Sequence, residues 1–252
     1  MALIASSLRG FSNSRRDLPN ASREWLHLKL QPRQKHSFYA SRSTRGLHVF
    51  SQSGTEVEIK LRLPNKEAHD RVAHELRSSF RETHNQENYF FDGKNGELSK
   101  QRMVLRCRFY NHDKRAIVTL KGGQVITDGV GRGSEVEDDV DPVAAREFLA
   151  NPTKLLSVDL PFVQDLRSKQ NVSELVSLGG FKNVRSDFDF EGFKLELDET
   201  QFEWGTVYEI EVETPEPEKL KPMLELFLKS RDIPYAYNTT TKFANFINRT
   251  LN

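Results

Sequence analysis

Eight consecutive residues constrain this chain more than any other stretch. Glu56-Val57-Glu58-Ile59-Lys60-Leu61-Arg62-Leu63 alternates charged and apolar side chains without a break. Side chains of a strand point to opposite faces with a period of two, so the segment predicts a strand with one apolar face and one wholly charged face. Pro64 ends it. A strand of this kind needs a packed layer on one side and, on the other, either water or something that answers its charges.

The same pattern recurs along the chain. Val104 to Tyr110 sets Arg106 and Arg108 against Leu105, Cys107 and Phe109. Phe193 to Asp198 carries Lys194, Glu196 and Asp198 on one face, and Val207 to Glu213 carries Glu209, Glu211 and Glu213. Further strands are expected at Tyr89–Asp92, at Ala116–Lys121 with a turn at Gly122-Gly123, at Glu135–Val140, and over 181–190. Helices are expected between them. Asn65 can cap one whose apolar positions Ala68, Val72, Leu76 and Phe80 fall four apart, and Asp141-Pro142 opens another. Others are predicted over 162–177, ending at Gly179-Gly180, and over 216–230, with Leu220, Leu224, Phe227 and Leu228 as the apolar stripe. Residues 235–247 read as strand or short helix, and Trp204-Gly205 as a hairpin turn. Fold class is therefore α+β, with an antiparallel sheet.

The charges come in blocks of one sign: Glu-Val-Glu, Arg-Cys-Arg, Glu-Ile-Glu. An antiparallel sheet with one wet face explains any one strand. It explains the set poorly, because like charges two apart on one face repel and a solvated face mixes signs. Opposed blocks make sense if they converge on a ligand that is both anion and cation. A metal–polyphosphate complex is such a ligand: carboxylates suit Mg²⁺ or Mn²⁺, arginine forks onto phosphate, and lysine adds point charge. Eight strands closed into an antiparallel β-barrel would turn these faces into a hydrated lumen, with helices packed outside. Unpaired charge is too costly to bury for structure alone.

Composition narrows the classes further. Charged residues make up 29% and apolar residues 37%, and no run approaches the ~20 apolar residues that span a bilayer. Residues 1–54 hold nine Lys/Arg and two Asp/Glu, a balance of +7, and the rest of the chain sums to −6. A weakly acidic domain lacks the basic face that nucleic acid requires. The N-terminal 54 residues are rich in Ser and Arg, which predicts a transit peptide to chloroplast or mitochondrion, with an unaddressed extension in the cytoplasm as the alternative. Cys107 is the only cysteine, so no internal disulfide forms. Gly122-Gly123 is not followed by Gly-Lys-Ser/Thr, so there is no P-loop. Oligomeric state is open.

Glu56-Val-Glu58-Ile-Lys60 resembles the ExExK signature of the CYTH domain, the triphosphate tunnel metalloenzyme family. The likeness extends over 55–252. It includes Tyr89-Phe90-Phe91-Asp92, Leu105-Arg106-Cys107-Arg108, Thr119-Leu120-Lys121, Lys194-Leu195-Glu196-Leu197-Asp198, Tyr208-Glu209-Ile210-Glu211 and Thr241-Lys242-Phe243. It is closest to the short plant-type members, which look like inorganic tripolyphosphatases. The resemblance implies metal ligation by Glu56, Glu58, Asp198, Glu209 and Glu211. It implies triphosphate contacts from Lys60, Arg62, Arg106, Arg108, Lys121, Arg185 and Lys242. Arg132, Glu135 and Glu137 would fit the family's middle acidic segment, although Gly131 and Gly133 break its spacing. The implied cofactor is Mg²⁺ or Mn²⁺ and the implied partner a small-molecule triphosphate. The implied reaction is attack of water on a terminal phosphorus; hydrolysis of thiamine or nucleoside triphosphate, adenylate cyclase activity, and non-catalytic polyphosphate binding are alternatives.

Overall fold

A computed structural model describes residues 54–252. The extension read over 1–54 lies, but for Gly54, outside the described residues. Eight strands run β1 (Gly54–Leu63), β2 (Phe80–Gly93), β3 (Met103–Tyr110), β4 (Arg115–Thr127), β5 (Val130–Val140), β6 (Leu175–Phe190), β7 (Phe193–Phe202) and β8 (Gly205–Glu213). Their order in the sheet is β5-β4-β3-β2-β6-β7-β8-β1, and β1 also pairs with β5. Every pairing is antiparallel, and the β1–β5 pairing closes the sheet on itself into a barrel. A two-residue strand, β9 (Ala236–Tyr237), lies against β1.

Five helices lie outside or across the barrel: α1 (Lys66–Glu75), α2 (Pro142–Ala150), α3 (Pro161–Ser168), α4 (Pro217–Lys229) and α5 (Lys242–Asn248). Asn65 caps α1 by accepting from the Ala68 amide at 3.0 Å, and Asp141 caps α2 with Pro142 in the first turn. The apolar faces of the strands point outward, beneath these helices. α1 and α4 cover Ile59, Leu61, Leu63, Leu195, Leu197, Ile210 and Val212, and α2 and α3 cover Leu105, Cys107, Phe109 and Val118. Arg146 of α2 lays its guanidinium 3.9 Å from the centre of the Phe109 ring. The hydrophobic effect therefore holds the barrel from outside, which leaves its interior free to be polar.

Four expectations need correction. The helix after Asn65 ends at Glu75, and Phe80 opens β2 half exposed instead of continuing the apolar stripe. Helix α3 stops at Ser168, and Gly179-Gly180 lies inside β6; a side chain at Gly180 would collide with the Asn88 carbonyl of β2, so only glycine lets these strands approach. Gly122-Gly123 is no turn: β4 runs through it with a register slip between Gly122 and Val125. The turn comes at Asp128-Gly129, where φ is +49° and +72°, the two positive values that a tight hairpin of the Asp-Gly type needs.

Candidate active site

The register pairs opposite charges across neighbouring strands. Lys60 of β1 stands opposite Glu211 of β8, and Arg62 opposite Glu209. Arg185 of β6 stands opposite Asp198 of β7, and Lys121 of β4 opposite Glu135 of β5. All of these side chains point to the concave side. Lys60, Glu211, Arg185, Lys121 and Glu135 line a cavity of about 930 Å³.

One group of charges is knotted around Asp198, Glu209 and Glu211. Lys242, the first residue of α5, approaches them at 2.7, 2.9 and 2.5 Å. Thr241 places it there by capping α5 through the Ala244 amide at 3.0 Å. Arg185 forks onto Asp198 at 2.8 and 2.6 Å, reaches Glu211 at 2.7 Å and pairs with Glu196. Lys60 bridges Glu211 at 2.5 Å and Glu58 at 3.0 Å, and Arg62 meets Glu209 at 3.2 Å. Burial would raise the Asp198 carboxyl, but Arg185 and Lys242 overcome it and hold the group at about 2. Burial likewise opposes ionisation of Glu211, yet Lys242, Lys60 and Arg185 keep it well below the usual carboxylate range.

The second group lies beside the first, on β1, β3, β4 and β5. Lys121 sits between Glu56 and Glu135 at 2.9 and 2.7 Å. Burial pushes Glu56 up to about 8; Lys121 opposes this, and Glu58 and Glu135 add to it. Glu135 is held at about 2: burial would raise it, but Lys121 and Arg106 prevail. Arg106 donates to Thr119 at 3.0 Å and lies 3.5 and 3.8 Å from Glu135 and Glu137. Arg108 differs from the rest. It donates to Asn88 at 2.8 Å and to the Tyr110 hydroxyl at 3.1 Å, and no carboxylate among the described residues comes within 4.0 Å of it.

Most of the predicted residues line one cavity; Asp198, Glu209 and Arg62 do not line it but are ion-paired with Arg185 or Lys242 or with each other, and one residue lies apart. Arg132 is on the outer face of β5, exposed and paired with Glu218 at 3.2 Å, because Gly131 and Gly133 take the inward positions beside it. Sequence reasoning missed the neutral polar wall: Gln86 and Asn88 of β2, Asn183 of β6, Tyr110, Gln124 and Asn238. Amides at alternate inward positions were the available signal for the first three. Glu196, on the charged face of β7, is ion-paired with Arg185.

The donor set suits a divalent cation. Asp198, Glu209 and Glu211 converge on the Lys242 ammonium, and Lys60 links Glu211 to Glu58, so four carboxylates stand close together. A donor set of carboxylate oxygens with no imidazole or thiolate among them favours Mg²⁺ or Mn²⁺. The wall also suits an anion, since the Nε atoms of Arg62 and Arg106 are buried without partners.

A closed antiparallel barrel with helices outside and paired rows of carboxylates and cations on its inner wall defines the tunnel-barrel class of fold. The CYTH domain family matches residues 54–246, and the chain belongs to that family. Among solved structures, the chain is similar to the proposed adenylyl cyclase HpAC1 from Hippeastrum, which is described as having a dominant triphosphatase activity. The two share 40% identity over 78% of this chain and 97% of that one, with a TM-score of 0.76. A Bacillus halodurans protein described as an adenylate cyclase candidate is 24% identical over 77% and 98%, with a TM-score of 0.59, and a Pyrococcus horikoshii protein is 21% identical over 78% and 99%, with a TM-score of 0.51; these two show the fold. No curated protein matches the chain.

Proposed function

We propose that the chain hydrolyses a triphosphate inside the barrel with a bound divalent cation, and that inorganic tripolyphosphate is the substrate. The observation that carries this reading is the inner wall itself. Its arginines and lysines come from β1, β3, β4, β6 and α5, so a phosphate chain entering the cavity meets cations on all sides. The dominant triphosphatase activity described for HpAC1 supports it.

Glu58, Asp198, Glu209 and Glu211 would hold the cation, with Glu56 beside them; the bound cation would neutralise phosphate charge and lower the pKa of a water. Arg106, Arg108 and Lys121 would bind and orient the phosphates from one side, and Lys60, Arg62, Arg185 and Lys242 from the other. For the lysines and Arg185 this means exchanging a carboxylate for a phosphate, which the cation makes possible by taking over the carboxylates. Positioning and charge neutralisation are the main demands of phosphoryl transfer. No histidine is needed.

A second reading rests on an observation of its own. The cavity is not polar throughout: Phe90, Phe181, Phe243 and Ile247 line one part of it. An organic ring could pack there, which favours a nucleoside or thiamine triphosphate. Phosphate release from tripolyphosphate, ATP and thiamine triphosphate, measured side by side with Mg²⁺ or Mn²⁺, separates the readings. The first predicts fastest release from tripolyphosphate; faster release from either organic substrate favours the second, and no release from any of the three refutes hydrolysis.

A further inference from the structure

Outside the cavity, the inward faces of β2 and β6 continue toward one end of the barrel. They carry a cluster that the proposed chemistry does not use. Glu82 stands opposite Asp187 in the register, and His84 opposite Arg185. His84 Nε2 lies 3.7 Å from Glu82 Oε1 and 3.5 Å from Asp187 Oδ2. One ligand atom from each of the three residues lies within 4.8 Å of the other two. We infer that Glu82, His84 and Asp187 form a second cation site, for a first-row transition metal such as Zn²⁺, distinct from the carboxylates of the tunnel.

Three observations carry this. First, the spacing fits an ion better than direct contact. Hydrogen bonds to nitrogen run to about 3.2 Å, and both gaps exceed that. Two ligand atoms at ~2.1 Å from a tetrahedral ion stand roughly 3.4 Å apart, close to the gaps seen. Second, Asp187 is 5% exposed, and its Oδ1 is buried with no hydrogen-bond partner. A buried carboxylate oxygen left unpaired is unfavourable. The nearest lysine does little for it: Lys194 lies 3.8 Å from the other oxygen and pairs with Glu196 at 2.5 Å. Third, the imidazole is held in place. Its ring meets Tyr110 edge-to-face, with centroids 5.8 Å apart at 89°, and Nε2 is the atom that faces both carboxylates.

The ligand chemistry separates this site from the tunnel. One imidazole nitrogen with two carboxylates suits Zn²⁺ and similar ions, whereas the all-oxygen tunnel suits Mg²⁺ or Mn²⁺. Three protein ligands leave a fourth position open to water or to an anion.

Equilibrium dialysis of the full-length protein against Zn²⁺ in excess Mg²⁺, followed by metal analysis, tests the inference. The expected result is one Zn²⁺ retained per chain, with affinity falling at least about tenfold in both His84→Ala and Glu82→Gln. Glu82 is exposed, so its substitution does not threaten the fold. Glu211→Gln should keep the Zn²⁺, because its carboxylate belongs to the tunnel; that arm makes the result independent of whether the proposed hydrolysis is right. Zn²⁺ retained equally by wild type, His84→Ala and Glu82→Gln overturns the site. So does Zn²⁺ lost only in Glu211→Gln, or not retained by the wild type.

Discussion

Lys242 Nζ lies 2.7 Å from Asp198 Oδ2, a contact between the first residue of α5 and the seventh strand of the barrel. It also touches Glu209 and Glu211, so one ammonium answers three buried carboxylates. Lys242→Ala should therefore destabilise the metal-free protein. Removing one partner of a buried ion pair costs about 3–5 kcal/mol, and here Arg185 still holds Asp198 and Glu211 and lowers that figure. The orphaned carboxylates should then draw a cation. Added Mg²⁺ should raise the melting temperature of Lys242→Ala by more than it raises that of the wild type. Equal Mg²⁺ shifts would show that these carboxylates are not the cation site.

Arg108 and Phe109 are neighbours in sequence with opposite duties. Arg108 faces the cavity with no carboxylate within 4.0 Å, while Phe109 is buried on the outside beneath Arg146. Arg108→Ala should leave stability level and weaken tripolyphosphate binding by the worth of a charge-assisted hydrogen bond, about 1.5–3 kcal/mol. Phe109→Ala should cost about 3–5 kcal/mol of stability and leave the ligand contacts in place. Melting temperatures of both variants with and without tripolyphosphate check this. A full ligand-induced shift in Arg108→Ala, or wild-type melting of Phe109→Ala, contradicts the inward and outward assignment of β3.

The strands that alternate apolar with charged residues were legible at once: β1, β3, β7 and β8 each bury one face under helices and turn the other inward. β2 was mostly hidden. From Arg81 to Asn88 it has no apolar face, because Glu82, His84, Gln86 and Asn88 look toward the polar interior while Arg81, Thr83 and Asn85 are exposed. A strand wet on both sides leaves no hydrophobic period to read. Arg185 was legible only through family likeness. Its partners Asp198, Glu196 and Glu211 come from β7 and β8, so no local spacing could announce the knot. The helix boundary at Glu75 was misplaced because Leu76 and Phe80 continue the four-residue spacing, although Leu76 packs at the end of the helix and Phe80 begins the next strand.

Cys107 is fully buried between the barrel and α2, and burial pushes its thiol up to about 12. It should be inert. A thiol-reactive dye at neutral pH should leave the folded protein unlabelled and label one thiol per chain in denaturant. Labelling of the folded protein at the denatured rate would place Cys107 elsewhere.

Residues 1–54 should be dispensable for the chemistry, since β1 supplies the first site residue at Glu56. A chain starting at Thr55 should fold and keep full turnover. Failure to fold, or folding without activity, contradicts this. A fluorescent reporter fused behind residues 1–54 should enter an organelle; diffuse cytosolic signal would refute the targeting reading.

The central claim is metal-assisted hydrolysis by the buried carboxylates, and phosphate release from tripolyphosphate tests it most directly. The measurement compares wild type in Mg²⁺, wild type in excess EDTA, and Glu211→Gln in Mg²⁺. Glu211→Gln keeps the side-chain shape and removes the charge that Lys60, Arg185 and Lys242 share. The account predicts release in the first sample and loss of most turnover in the other two, with Glu211→Gln still folded. Undiminished release in EDTA, or near-normal turnover by Glu211→Gln at limiting Mg²⁺, would contradict it.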